Sequence, residues 1–178
     1  MSVTFQIGSP FAVPVRLTQA FGGNPQYYRR FSYHNIPLKG HNGLDFGVPI
    51  GTPVLAVDDG VIVEQGFEDG GFGCYVKVRH TWGESVYAHL TSSPGRPVDF
   101  VERGQLIGVS GNTGGSTGPH LHLGIRVDPY RRGDGWGGFC DPLPMLPDGA
   151  IDEGLTRGMM DELAEPGKPS GMINNSEV

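Results

Sequence analysis

Residues 74–90 read CYVKVRHTWGESVYAHL, and their alternation decides the fold. Cys74, Val76 and Val78 take every second place, with Tyr75, Lys77 and Arg79 between them. Side chains two apart in a strand share a face, so Cys74–His80 and Ser85–Leu90 are predicted to form a hairpin across Thr81–Glu84. Cys74 then serves as a small apolar core residue.

The same signal continues in both directions. Val54–Val57 and Val61–Val63 read as two strands around a tight turn or bulge at Asp58-Asp59-Gly60. Gly104–Ser110 and Leu121–Val127 are further strands, and Val13–Ala20 is a first short one. Thirty glycines and fifteen prolines fall between these runs without a collagen-like period, as short strands joined by tight turns require. Helical periodicity is absent from this body, so the fold class is all-β with an antiparallel sheet. Between Phe21 and Lys39 lies an aromatic, polar stretch. Tyr27, Tyr28, Phe31 and Tyr33 either line a groove or pack a long loop onto the sheet, and packing is the preferred reading.

A chain of 178 residues carries one substantial core, assigned to residues 1–149. The segment 150–178 differs. Six acids there face two bases, which accounts for −4 of the net charge of −6. Leu155, Met159, Met160 and Leu163 suit one face of a short helix over about residues 152–164, ended by Pro166 and Gly167. Lys168 to Val178 has the composition of a flexible tail.

The chain lacks a basic stripe, which argues against a nucleic-acid partner. No apolar run is long enough to insert in a membrane. A Sec-type leader is missing from the first residues, so a mature form or another export route is expected. Cys74 and Cys140 make neither a disulfide framework nor a metal motif, though one bridge between them is compatible with the sequence.

Chemistry concentrates at three places. In His120-Leu121-His122-Leu123, residues two apart lie about 6.5 Å from one another on one strand face, so both imidazoles point one way and the leucines enter the core. Both imidazoles could ligate one metal, or one could ligate while the other acts on the bound water. In His41-Asn42-Gly43-Leu44-Asp45, a flat strand would hold His41 and Asp45 about 13 Å apart, too far to share an ion. Glycines and a proline nearby oppose a helix. A turn at Asn42-Gly43 is left, folding His41 over the strand that begins at Leu44. In Tyr87-Ala88-His89-Leu90, His89 is expected to share a face with Tyr87. His34 and His80 have no comparable setting and are read as surface or loop residues. One carboxylate with four imidazoles and no thiolate suits a catalytic zinc that activates water.

The run Gly111-Asn112-Thr113-Gly114-Gly115-Ser116-Thr117-Gly118-Pro119-His120-Leu121-His122, with HNGLD before it and YAHL between, resembles the lysostaphin-type (LytM-like) zinc metallopeptidases. The resemblance covers roughly residues 13–141 and extends to the glycine-rich strands of that family's barrel-sandwich core. It implies His41, Asp45 and His122 as ligands of one Zn2+ per chain. It implies His120 as general base and His89 as the partner that orients the site or stabilises the tetrahedral intermediate. The implied substrate is the peptide part of bacterial peptidoglycan, a cross-bridge or stem peptide, cut outside the cytoplasm.

A phage lysin or virion-associated enzyme is one expected setting, with the C-terminal tail docking to a virion or other assembly. The rival readings are a non-catalytic peptidoglycan-binding or assembly scaffold on the same fold, and a lipoyl-like carrier. The carrier would need a lysine at a hairpin tip, which neither Lys39 nor Lys77 supplies.

Overall fold

The computed structural model describes residues 5–156. In chain order the elements are β1 (Arg16–Gln19), a single helical turn α1 (Pro25–Tyr28), β2 (Ser32–Tyr33), β3 (Ile36–Pro37), β4 (Leu44–Gly47) and β5 (Pro53–Leu55). They continue with β6 (Gly60–Glu68), β7 (Gly73–Arg79), β8 (Gly83–Ser92), β9 (Phe100–Val101), β10 (Leu106–Ser110) and β11 (Leu121–Val127). A 3-10 turn follows at Leu143–Met145.

The main sheet runs β1-β4-β11-β8-β7-β6-β9, every pairing antiparallel, while β10 joins the end of β8 and carries β5. β2 and β3 form a separate small hairpin. β8 is the hub. It touches β7, β11 and β10, and it is buried from Gly83 through Leu90. The predicted β7–β8 hairpin is present, with Arg79 opposite Glu84 beside the turn. Leu44, Phe46, Val76, Val78, Tyr87, Leu121, Leu123 and Ile125 meet in one fully buried cluster. Burying such a side chain contributes roughly 1.5–3 kcal/mol, so register on these strands is strongly specified.

The strands expected on either side of Asp58-Asp59-Gly60 do not pair with each other. β5 pairs with β10, and β6 with β7 and β9. Asp58 accepts the Trp82 indole N–H at 2.7 Å, and Asp59 accepts the Arg103 amide at 2.8 Å. The turn residues are therefore tied outward to neighbouring segments, and the turn redirects the chain between layers. β1 is shorter than Val13–Ala20, and Val13 is exposed.

His80 is buried rather than superficial. Its Nδ1 meets Asp59 O at 2.8 Å, its Nε2 meets Ser85 Oγ at 2.7 Å, and its ring stacks on Trp82. His34 is exposed in the β2–β3 turn. Both cysteines are free thiols. Ile151 bridges Val15, and the Thr156 hydroxyl accepts the Leu17 amide. Residues 153–156 begin a helical turn, and Met159, Met160 and Leu163 lie outside the described residues. Among the described residues no helix is long and apolar enough to cross a membrane.

Candidate active site

Strand register builds the site. β4 and β11 are antiparallel neighbours with Asp45 directly opposite His122. Directly opposed side chains on adjacent strands start only about 5 Å apart at Cβ. On its other side His122 is opposite Ala88, whose methyl leaves the space open. His41 precedes β4 and is folded back by Asn42-Gly43. Its amide donates to Gly23 O at 2.9 Å, and its carbonyl accepts the Gly22 amide at 2.7 Å. A side chain at Gly43 would be impossible without movement, because its Cβ would stand 2.5 Å from Leu123 O and 2.6 Å from the His122 ring.

Three donor atoms converge. His41 Nε2 lies 2.9 Å from His122 Nδ1 and 3.0 Å from Asp45 Oδ1, and His122 Nδ1 lies 3.0 Å from the same oxygen. Bond lengths of 2.0–2.1 Å in a tetrahedral zinc site separate adjacent ligands by about 3.3 Å, close to this triangle. Proton placement points the same way. His41 Nδ1 donates to Ala20 O at 3.1 Å, which leaves Nε2 as a lone pair facing the carboxylate. Only one N–H, that of His122 Nδ1, is then available among three electron-rich atoms, an arrangement that a cation satisfies. His122 Nε2 is buried without a hydrogen-bond partner, against Gly43.

Electrostatics keep Asp45 and His122 in ligand form. Burial raises the Asp45 pKa, but hydrogen bonds with His122 and His41 outweigh it and hold the carboxyl well below the usual range. Burial depresses His122 despite the Asp45 charge. The resulting state is an ionised Asp45 carboxylate beside a neutral His122 imidazole.

The other two histidines stand beside this triangle. His120 Nδ1 contacts Gly118 O at 2.7 Å and Ser116 Oγ at 3.1 Å, and its Nε2 lies 3.7 Å from Asp45 Oδ2. The His89 and His120 rings are 4.5 Å apart, and His89 Nδ1 meets Thr113 O at 2.8 Å. Burial, then repulsion from His122 and His120, lowers His89 to about 4.

His89 does not share a face with Tyr87. Tyr87 points into the core, where its hydroxyl accepts the Val57 amide at 2.9 Å. At His89 the backbone turns left-handed (φ 60) and the β7–β8 register shifts between Cys74 and Val76. Alternation is interrupted there, so Tyr87 and Leu90 both enter the core while His89 faces the site. A non-glycine residue held at positive φ costs of order 1–3 kcal/mol, and such strain gathers at functional sites.

The triangle opens into a cavity of about 260 Å³. Tyr27, Tyr28, Phe31 and Tyr33 form one wall, so the groove reading of this stretch replaces the packing one. The segment from 20 to 41 leaves the sheet edge, and its rings pack on one another around α1. Gly70, Gly71, Phe72, Gly115 and Thr117 line the cavity as well. Sequence reasoning missed Phe72, whose ring lies 5.5 Å from that of His122. It also missed the position of Tyr28, 5.1 Å ring to ring from His41. The flanking glycines in Gly70-Gly71-Phe72-Gly73 were the available signal, since they mark a tight tip with a single large side chain.

Known proteins share this sequence and fold. Residues 39–133 match the model of Peptidase family M23. The DD-carboxypeptidase/endopeptidase Mpg of Neisseria meningitidis is 42% identical over 125 residues, which cover 64% of this chain and 29% of the relative. The chain spans under a third of the length of the curated relatives it matches first. The catalytic domain of the antimicrobial peptidase lysostaphin from Staphylococcus simulans superimposes with a TM-score of 0.54 at 33% identity, covering 71% of this chain and 97% of that domain. A mutant catalytic domain of the prophage-encoded protein EnpA from Enterococcus faecalis gives a TM-score of 0.57 at 27% identity, covering 74% of this chain and 92% of that one. The antiparallel architecture is thus that of the lysostaphin type. With its family match covering more than half of the residues, the chain belongs to Peptidase family M23.

Proposed function

We propose that the chain is a zinc-dependent endopeptidase acting on peptide bonds of bacterial peptidoglycan. The observation that carries this reading is the triangle of His41 Nε2, Asp45 Oδ1 and His122 Nδ1, open to a groove and flanked by two further imidazoles. In it His41, Asp45 and His122 would hold the metal. A bound zinc supplies Lewis acidity and lowers the pKa of water from 15.7 to about 7.

The chain's own residues do the rest. His120 donates through Nδ1 to Gly118 O, which leaves Nε2 as the base that takes a proton from the attacking water. Low basicity at His89 keeps that ring neutral, and its Nδ1–H is occupied by Thr113 O, so its second nitrogen orients the reacting group. The Tyr28 hydroxyl is pushed up by burial and by the Asp45 charge, so it stays protonated and can donate to a substrate carbonyl. The groove walls would hold the peptide while these groups act.

The substrate class is supported by the names of the Neisseria relative and of lysostaphin. A phage setting is supported by the likeness to the prophage-encoded domain. The scaffold reading is disfavoured because no donor of the triangle is missing. Incubating purified sacculi with the zinc-loaded protein, with and without chelator, tests the proposal. New free amino groups that appear only without chelator are expected. Intact peptide linkages under both conditions would sink the peptidase reading.

A further inference from the structure

The groove contains a charge that peptide-bond hydrolysis does not need. Glu68 closes β6 and lines the cavity together with Tyr33 and Phe72. Four residues earlier on the same strand, Glu64 is engaged by Lys77 Nζ at 2.7 Å and by the Tyr75 hydroxyl. Glu68 has no ion-pair partner among the described residues. Glu68 is exposed at the rim of the groove. Its carboxyl folds back over the tip of the β6–β7 turn, where a Cβ on Gly71 would stand 2.6 Å from Glu68 Cδ and 2.9 Å from Oε1.

Gly71 is itself tied to the loop that leads into His120, since its carbonyl accepts the Gly115 amide at 2.8 Å. The carboxylate therefore stands at the lip of the groove, over a turn whose backbone is fixed. Among the described residues Asp45 is the only other acid in the lining, and it belongs to the candidate metal triangle. No lysine or arginine lines the cavity among the described residues.

The geometry points to an ammonium-binding subsite at Glu68, where a positively charged amine of the substrate peptide sits between the carboxylate and the faces of Tyr33 and Phe72. An unpaired carboxylate beside aromatic faces attracts a cation by charge and by the ring quadrupole together. The amine can be a peptide's α-amine or a diamino side chain; both present the same group. This inference rests on the groove being the substrate site proposed above.

Binding separates the inference from the hydrolytic reading. The zinc-loaded protein is titrated calorimetrically with alanine pentapeptide amides carrying either a free α-amine or one central lysine with a blocked N-terminus. Each is paired with its fully acetylated form. The free-amine form of at least one pair is expected to bind about 3–10-fold more tightly than its acetylated form, the range of a partly exposed ion pair with a cation–π contact. The pair that shows the ratio identifies the source of the amine. Glu68→Gln should bring the ratio to near one, and Glu68→Lys should invert it. Equal affinities within both pairs for the wild type, or a ratio unchanged in Glu68→Gln, would overturn the subsite. A ratio that persists without any cleavage of sacculi supports the subsite and removes the peptidase reading instead.

Discussion

Two buried histidine clusters sit at opposite ends of β8, and they are wired differently. Near Gly83, each polar atom has a protein partner. Tyr87 accepts from Val57, its hydroxyl and that of Ser85 are hydrogen-bonded at 3.1 Å, Ser85 Oγ meets His80 Nε2, and His80 Nδ1 donates to Asp59 O. Near His89, the imidazoles of His41 and His122 instead turn nitrogens toward one another and toward a carboxylate, with one proton among three atoms. The first cluster is complete as it stands. The second could hold a metal ion, although both are buried and both draw on the same strand. Burial alone therefore does not mark the functional histidine; the direction of its lone pairs does.

Removing a ligand should break this contrast most severely. His122→Ala is expected to lower kcat/KM by roughly 10³-fold or more, on the scale of losing one member of a cooperating catalytic set. Steady-state assays on sacculi-derived muropeptides check it. His120→Ala should cost about 10²–10⁴-fold while metal stays bound, the usual contribution of a general base. Loss of metal along with activity in that variant would move His120 into the ligand set.

Gly43→Ala sharpens the comparison without touching any polar group. Its Cβ would meet the His122 ring at 2.6 Å, so the ring must shift. Zinc affinity should fall about 10–100-fold, the effect typical of disturbing the support of a ligand. Competition with a chromogenic chelator measures it, and an unchanged affinity would show that the ring does not need this close approach.

At the other cluster the effect should be on stability alone. His80→Gln should leave zinc binding intact and destabilise by about 1–3 kcal/mol in urea, the cost of leaving buried partners unsatisfied. Burial lowers the folded-state pKa of His80 below the unfolded value of 6.5. Its contribution is therefore fully present above pH 6.5 and is lost as pH falls through the folded pKa. The gap between wild type and His80→Gln should narrow below pH 6.5. A gap that widens there would contradict the neutral, buried state of this ring.

Some of this contrast is legible in the sequence, and the limits are physical. The strand period of two places His120 and His122 on one face, and the Asn42-Gly43 turn follows once helix and flat strand are eliminated for His41 and Asp45. Period alone misplaces His89, because a left-handed residue inside a strand shifts the alternation and only the backbone shows it. His80 is misplaced because its partners, Asp59 and Ser85, come from two different segments. The groove wall is hidden for a related reason: Tyr27, Tyr28, Phe31 and Tyr33 lie on an excursion from the sheet edge, where neither period applies.

His41, Asp45 and His122 are proposed to hold one metal ion, and zinc content by mass spectrometry of protein purified without chelators is the direct test. One zinc per chain in the wild type, essentially none in Asp45→Asn and an undiminished content in His80→Gln is the predicted result. A wild type that takes up no zinc even when it is supplied in excess, or an Asp45→Asn variant that keeps its zinc, would contradict it.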